Sequence, residues 1–167
     1  MKHQEAIISQ YLSVLEMLEQ TIVKCPDAIW NNSGDKTRFW HIAYHVLFYA
    51  HLYLQDSEQT FTAWTRHRDE YQFIGQVPWP PHAQPKIGEP YDRETVLEYL
   101  AFCRQQVVER VTHLDLDAAS GFPWLPFSKL ELQIYNIRHL QQHTGELMER
   151  VGTRAGLEID WVGRQLK

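Results

Sequence analysis

The most informative stretch of the sequence is NIRHLQQHTGEL, which spans residues 136–147. Its polar residues Asn136, His139, His143 and Glu146 follow one another at spacings of three, four and three residues. This spacing matches the period of an α-helix, so the four side chains are predicted to form one polar stripe along a helix. The stripe lies at the border of the apolar face, which leaves two alternatives. It is either a solvated edge or a face turned towards a cavity between helices.

The helix that carries this stripe has a recognisable start. Ser128 can act as its N-cap, and Glu131, three positions later, can complete a capping box. We therefore predict a helix that runs from this cap to about Val151. The segment that follows contains Trp161, which we expect to dock against the rest of the protein.

Three further helices are predicted upstream. They cover about residues 4–24, residues 37–54 and residues 93–113, the last with Asp92 as its N-cap. The first has one apolar stripe, formed by Ile8, Tyr11, Leu15, Leu18 and Ile22. The second is apolar on almost every side, so neighbouring elements or a partner subunit are expected to cover several of its faces. Cys103 lies on the apolar stripe of the third and is predicted to be a buried, unreactive thiol.

The connection between the second and third predicted helices, residues 55–91, has a different composition. It is rich in proline and aromatic residues, among them Phe61, Trp64, Tyr71, Phe73, Pro78, Trp79, Pro80, Pro81, Pro85 and Pro90. We predict a short helix around residues 59–68 and a long ordered loop over the remainder. Loops of this length in compact domains are often functional, and residues 64–79 are expected to cover a site between the helices.

Together these patterns predict an all-α fold. Four long helices joined by one long and two shorter connections are typical of an antiparallel four-helix bundle. The length of 167 residues suits one domain, so residues 1–167 are predicted to form a single helical-bundle domain.

Charge and composition narrow the function classes. The formal net charge is −5 and the Lys and Arg residues are scattered, which disfavours nucleic-acid binding. The longest apolar runs are too short to span a bilayer, and the first residues turn polar at once, without a signal-peptide core. Two cysteines do not make a disulfide framework. A cytoplasmic location without membrane association is therefore predicted.

The histidines are the candidates for chemistry. Of the nine, four form two His-x-x-x-His pairs, His41 with His45 and His139 with His143. Residues four apart lie on one side of a helix, so both imidazoles of a pair can reach one metal ion, and by spacing either His41 or His45 can add to the second pair. Three histidines and an open position are typical of a catalytic zinc-type site, although an isolated pair is more often only hydrogen-bonded or exposed. The glutamate of a zincin protease motif is absent from both pairs.

Two segments, FWHIAYHVLFY at residues 39–49 and NIRHLQQHTGEL at residues 136–147, resemble the DinB-like (DinB/YfiT) superfamily of four-helix-bundle metalloproteins. In that family one metal-binding histidine lies on the second helix and a His-x-x-x-His pair on the fourth. The resemblance implies that His45, His139 and His143 bind a divalent metal ion, zinc or nickel. His41 is retained as a fourth or substitute ligand.

The resemblance also implies a class of activity. Similar proteins include metal-dependent thiol transferases and isomerases that use low-molecular-weight thiols such as bacillithiol or mycothiol, and homodimers are frequent among them. Our leading hypothesis is a metal-dependent transferase or hydrolase acting on a small molecule, in which Glu146 or Asn136 orients a ligand or a bound water molecule. Two alternatives stay open: a non-catalytic, stress-related binding module of the same fold, and a plain helical bundle with incidental histidines.

Overall fold

The protein is all-helical in the computed structural model, which describes residues 2–165. In chain order the α-helices are α1 (Lys2–Lys24), α2 (Asp27–Trp30), α3 (Phe39–Leu52), α4 (Arg93–Val111) and α5 (Lys129–Ala155). A 3-10 turn, Glu58–Thr60, follows α3, and in the described part of the chain the only β-type pairing is an isolated bridge between Ala119 and Ser128. The four predicted helices correspond to α1, α3, α4 and α5.

The four long helices enclose one core. Helices α4 and α5 each pack against both α1 and α3, so the four form a closed ring around buried side chains contributed by all of them. The prediction of an all-α four-helix bundle is thereby confirmed. The antiparallel order of the helices, the single domain over residues 1–167 and the homodimer stay predictions. No helix among residues 2–165 is both long and apolar enough to cross a membrane.

The ends of the helices follow the local signals of the sequence. Helix α1 ends just before Cys25-Pro26, because proline disfavours the helical conformation of the residue that precedes it. The Asp92 carboxylate accepts a hydrogen bond from the Thr95 N–H at 2.7 Å and so caps α4. The Ser128 hydroxyl accepts one from the Glu131 N–H at 3.2 Å, which is the first half of the predicted capping box.

Helix α3 is the most buried element of the bundle. All its residues except Tyr49 are buried, and they are covered by α4, α5 and the connection that follows α3. Elements of the same chain cover this helix, so a partner subunit is not needed to bury it. Its sequence is apolar all round because it faces protein on nearly every side.

The connection between α3 and α4 contains no α-helix, so the short helix predicted around residues 59–68 is wrong apart from its first 3-10 turn. The aromatic side chains of this connection are anchored one by one instead. Trp64 stacks on Tyr99 of α4 with ring centroids 4.5 Å apart, and Tyr71 and Tyr91 are buried against the bundle. These separate anchors favour a winding backbone over a helix, in which the same side chains would point in directions fixed by the helical period.

The segment after α5 lies along α1. The Lys24 ammonium donates to the carbonyl of Glu158 at 2.8 Å, and the Gln10 amide donates to that of Gly163 at 3.3 Å. Trp161, by contrast, is 75% exposed, so the prediction that its indole docks on the protein is wrong. Hydrogen bonds from α1 side chains to its backbone carbonyls and the packing of Ile159 against the core, and not burial of the indole, hold this segment in place.

Candidate metal centre

Three histidines from two helices converge at one point of the bundle. His45 of α3 meets His139 and His143 of α5, and their ring centroids are 4.9–5.1 Å apart. One nitrogen from each ring lies within 4.8 Å of the other two. The rings stand close to perpendicular, at 77–88° to one another.

The convergence follows from local spacing and helix packing. His139 and His143 are four residues apart, so they share one side of α5. That side faces α3, which packs against α5 along its length and brings His45 opposite the two. The polar stripe predicted from the sequence therefore faces an adjacent helix, at least at these two positions, and is not a solvated edge there.

A backbone carbonyl determines which nitrogen of His45 carries a proton. His45 Nδ1 lies 2.6 Å from the carbonyl oxygen of Gln72 in the long connection. A carbonyl can only accept a hydrogen bond, so Nδ1–H is the donor. Nε2 of the neutral ring then keeps its lone pair and is directed to the other histidines. Such an outer partner is typical of a metal-binding histidine.

A carboxylate plays the same part for His143. Its Nδ1 lies 3.0 Å from Oε2 of Glu146, and Oε1 of that carboxylate accepts from Arg150 Nη2 at 2.7 Å. Arg150 in turn donates to the carbonyl of Thr37 at 2.7 Å. The carboxylate accepts the Nδ1 proton, so Nε2 of His143 is also free to bind an ion.

His139 differs from the other two because its Nδ1 is buried without a hydrogen-bond partner. Its Nε2 lies 3.2 Å from Nε2 of His45. Since His45 Nε2 carries a lone pair, the proton in this contact belongs to His139. The three-nitrogen donor set fits a divalent ion, which would take the place of this proton between the two nitrogens.

Burial keeps two of these imidazoles neutral. Removal from water is the main reason that the pKa of His45 is lowered to about 3; the hydrogen bond to the Gln72 carbonyl opposes this change and the neighbouring histidines add to it. Burial, together with His143, lowers the pKa of His139 to about 4. Both rings are therefore uncharged at neutral pH, with one N–H each, and the uncharged imidazole is the form that binds metals.

Comparison with known families agrees with this architecture. A sequence model described as the DinB superfamily matches residues 10–147. The chain belongs to the DinB superfamily. The matched region extends from α1 to α5 and includes all three clustered histidines of this DinB-superfamily protein. No curated protein and no solved structure matched the chain.

A cavity of about 740 Å³ lies beside the histidine cluster of this DinB-superfamily protein. Two of the clustered histidines, several aromatic residues and part of the long connection line it: His45, Phe48, Tyr49, Leu52, Tyr53, Glu58, Phe61, Gln72, Phe73, Pro78, Trp79, Trp124, Tyr135 and His139. The volume lies in the range of about 300–1,000 Å³ that is typical of small-molecule sites. The connection that was expected to cover a site thus supplies one wall of this cavity.

Two other predicted site residues lie outside the cluster. His41 Nε2 contacts the carbonyl oxygen of Tyr71 at 2.9 Å, and its ring stacks on Trp40. Asn136 is fully buried, and its amide donates to the carbonyl of Ala50 in α3 at 3.2 Å. His41 therefore contacts the connection between α3 and α4, and Asn136 links α5 to α3. Of the two residues predicted to orient a ligand, Glu146 is the one that contacts a clustered histidine.

Three residues of the site were not singled out by the sequence. Gln72 contributes through its backbone carbonyl, which no residue type signals. Arg150 follows Glu146 by four positions, and that helical ion-pair spacing could have revealed it. The ring of Tyr49 packs edge-on against His139 and tilted against His45. Burial raises the pKa of its hydroxyl to about 12, so the hydroxyl stays protonated at neutral pH.

Proposed function

We propose that this protein binds a divalent metal ion, zinc or nickel, through His45, His139 and His143, and that it is a metal-dependent thiol transferase or hydrolase acting on a small molecule. The observation that carries the proposal is the convergence of three imidazoles beside a cavity, two of them with the proton held on Nδ1 by an outer acceptor. Three protein ligands leave a position open, as in catalytic rather than structural zinc sites.

Each part of the site has a distinct contribution. A divalent ion held by the histidines would lower the pKa of a water molecule or a thiol, which would supply a nucleophile at neutral pH. The Gln72 carbonyl and the Glu146 carboxylate orient the imidazoles through their Nδ1 protons. Phe73 and Trp79 contribute apolar surface to the wall that the connection forms at the cavity.

The two cysteines of the chain favour a small-molecule thiol as the sulfur source. Cys25 and Cys103 are both buried. Burial raises the pKa of the Cys25 thiol to about 11 and that of Cys103 well above its ordinary value. Neither forms a thiolate at neutral pH, and neither lines the cavity. A thiol nucleophile would therefore come from a low-molecular-weight compound.

Metal content tests the first half of the proposal. Protein purified without a histidine tag is analysed by elemental mass spectrometry, and we expect about one zinc or nickel ion per chain. The double variant His139→Ala/His143→Ala should hold none. His113→Ala is the matched control because this histidine is exposed at the end of α4, and it should retain the ion. A wild-type protein without metal, or a double variant that keeps it, would refute the metal centre.

Activity assays test the second half. The metal-loaded protein is screened for consumption of a thiol with electrophilic small molecules, and for hydrolysis of esters and amides. We expect turnover that disappears on chelation and returns when the metal is restored. Metal binding without turnover across both panels would favour the non-catalytic binding module.

A further inference from the structure

Three tyrosines line the cavity beside the histidine cluster and continue the helix faces that carry the histidines. In the α3 region, Tyr49 lies four residues after His45, and Tyr53 follows four residues later, directly after the helix. In α5, Tyr135 lies four residues before His139. Residues four apart share one side of a helix, so each tyrosine lies next to the site by the same spacing that places the histidines there.

The rings of these tyrosines form one continuous wall that reaches the cluster. Ring centroids are 5.6 Å apart for Tyr49 and His139, 5.6 Å for Tyr49 and Tyr53, and 6.0 Å for Tyr53 and Tyr135. The remaining walls are largely aromatic as well, since eight of the fourteen lining residues are Phe, Tyr or Trp. This aromatic cavity therefore offers few polar groups to a ligand, and the tyrosine hydroxyls are prominent among them.

The hydroxyls of Tyr49 and Tyr135 differ from those of the other tyrosines. In the part of the chain that the structure describes, neither makes a hydrogen bond, and neither is a buried atom, so a molecule in the cavity can reach both. Tyrosine hydroxyls at apolar sites usually find a partner. The other six of the eight tyrosines have one within the protein: Tyr11, Tyr44, Tyr53, Tyr71, Tyr91 and Tyr99.

The chemistry of a hydroxyl indicates what the missing partner is. Each hydroxyl has one proton to donate, and a donor without an acceptor is the less tolerated kind of unpaired group. A carbonyl oxygen has two lone pairs and can accept from both tyrosines. Donors beside a carbonyl oxygen also stabilise the negative charge that develops there when a nucleophile attacks the carbonyl carbon.

We propose that the hydroxyls of Tyr49 and Tyr135 donate hydrogen bonds to the carbonyl oxygen of a small molecule in the aromatic cavity, so that carbonyl compounds are the substrate class. This inference rests on the proposed function, since it assigns the substrate of the same site. The lone pair of a hydroxide or thiolate forms the new bond to the carbonyl carbon, and the π electrons of the carbonyl group move to its oxygen. The tyrosines keep their protons and stabilise that oxygen by hydrogen bonding.

Two probes of the same shape test this hydrogen bond. Acetophenone has a carbonyl oxygen where isopropenylbenzene has a CH₂ group, and the binding of each to the full-length protein as purified is followed by NMR titration. We expect Tyr49→Phe and Tyr135→Phe each to weaken acetophenone binding by about 2- to 10-fold, the effect of one lost hydrogen bond. The affinity for isopropenylbenzene should stay unchanged. A wild type that does not bind acetophenone, or variants that weaken both probes equally, would overturn the proposal.

Tyr71→Phe is the matched control. The hydroxyl of Tyr71 donates to the carbonyl of Glu89 at 2.9 Å, and this tyrosine does not line the aromatic cavity. Its removal should leave the affinity for both probes unchanged. If Tyr71→Phe weakened acetophenone binding as much as Tyr49→Phe does, the effect would not arise from a contact in the cavity, and the proposal would be wrong.

Titration after chelation separates this proposal from the metal centre, because a bound ion would also attract a carbonyl oxygen. We expect the tyrosine variants to weaken acetophenone binding in the chelated protein as well. If chelation abolishes acetophenone binding and the tyrosine variants have no effect, the ion and not the hydroxyls binds the oxygen, which overturns this inference and supports the metal centre. A protein without metal whose acetophenone binding depends on Tyr49 and Tyr135 does the reverse.

Discussion

Protons on single histidine nitrogens determine what the cluster can bind. In His45 and His143 the Nδ1–H is taken by an oxygen acceptor, so both Nε2 lone pairs face the third histidine. His139 has no such acceptor, and its buried Nδ1 is unpartnered. Its ring orientation therefore depends on packing and on its neighbours in the cluster more than on a hydrogen bond of its own.

Removal of the carboxylate behind His143 is expected to weaken metal binding. In Glu146→Ala the Nδ1 proton loses its acceptor, so we expect metal affinity to fall by about 10- to 100-fold. Glu146→Gln keeps an oxygen acceptor without the charge. Its metal affinity should therefore lie between those of Glu146→Ala and the wild type. Competition with a chromophoric chelator measures the affinity.

Glu149→Gln is the control for this prediction. Glu149 lies on the same helix and accepts from the Thr153 hydroxyl at 2.6 Å, away from the cluster. The Glu149→Gln variant should bind metal with the affinity of the wild type. Equal affinities for Glu146→Ala and Glu149→Gln would show that the carboxylate behind His143 does not support the site.

His51 should make stability depend on pH. It is buried between Phe61 and Phe102, and burial lowers its pKa from 6.5 to about 4. On acidification the unfolded chain takes up this proton first, so stability is present above pH 6.5 and is lost as the pH falls towards 4. Between about pH 7 and about pH 5 this single group should cost the wild type about 2 kcal/mol of the free energy of unfolding.

Urea unfolding of wild type and His51→Gln at several pH values isolates this contribution. Glutamine does not titrate, while the remaining histidines contribute equally to both proteins. We expect the difference in unfolding free energy between the two proteins to shrink as the pH is lowered. A difference that stays constant across this range would show that His51 is not buried in its neutral form.

At the scale of elements, Lys129 joins the parts of the chain that surround the cavity. It is the first residue of α5 and is buried, and its ammonium donates to the carbonyls of Gln55, Asp56 and Ser120. Two of these acceptors follow α3 and one precedes α5. Buried charges are tolerated when fully hydrogen-bonded, as here. One side chain thus connects the segment that carries Glu58 to the loop that carries Trp124.

Substitution by alanine at Gly121 and at Gly145 should have opposite effects on the stability of the protein. At Gly121, with φ of +84°, an added Cβ would lie 1.9 Å from the carbonyl oxygen of Asp56, so Gly121→Ala should destabilise the protein by more than about 2 kcal/mol. At Gly145, inside α5, nothing lies within 4 Å of the added Cβ. Gly145→Ala should therefore stabilise the protein by about 0.5–1 kcal/mol through helix propensity.

Chemical denaturation measures both changes. A neutral Gly121→Ala would mean that the loop can move away from Asp56. A destabilised Gly145→Ala would mean that the space beside α5 is smaller than the structure shows.

For the whole molecule, metal removal should lower thermal stability. The three ligands come from α3 and α5, so an ion joins two helices of the native state and stabilises it relative to the unfolded chain. At free metal about a hundredfold above Kd, chelation should lower Tm by about 5–10 °C. Differential scanning calorimetry with and without chelator measures this shift. The double variant His139→Ala/His143→Ala should show none, and an unchanged wild-type Tm would favour incidental histidines.

The sequence by itself determined the features that depend on near neighbours. The buried stripe of α1, the caps at Asp92 and Ser128, and the shared side of His139 and His143 all follow from spacings within one helix. The sequence wrongly predicted the short helix around residues 59–68, because the conformation of that segment depends on contacts with distant parts of the chain. The isolated aromatic anchors of that segment are not visible in local periodicity.

Only the tertiary structure decided which histidine of α3 meets the other two. His41 and His45 lie one turn apart on an equally apolar helix, so spacing left both open and the family resemblance chose between them. The packing of α3 against α5 brings His45 to 3.2 Å from His139, while His41 contacts the Tyr71 carbonyl instead. The Gln72 carbonyl and the aromatic cavity also emerge only from the fold. Backbone acceptors carry no sequence signal, and a cavity is formed by residues that are distant along the chain.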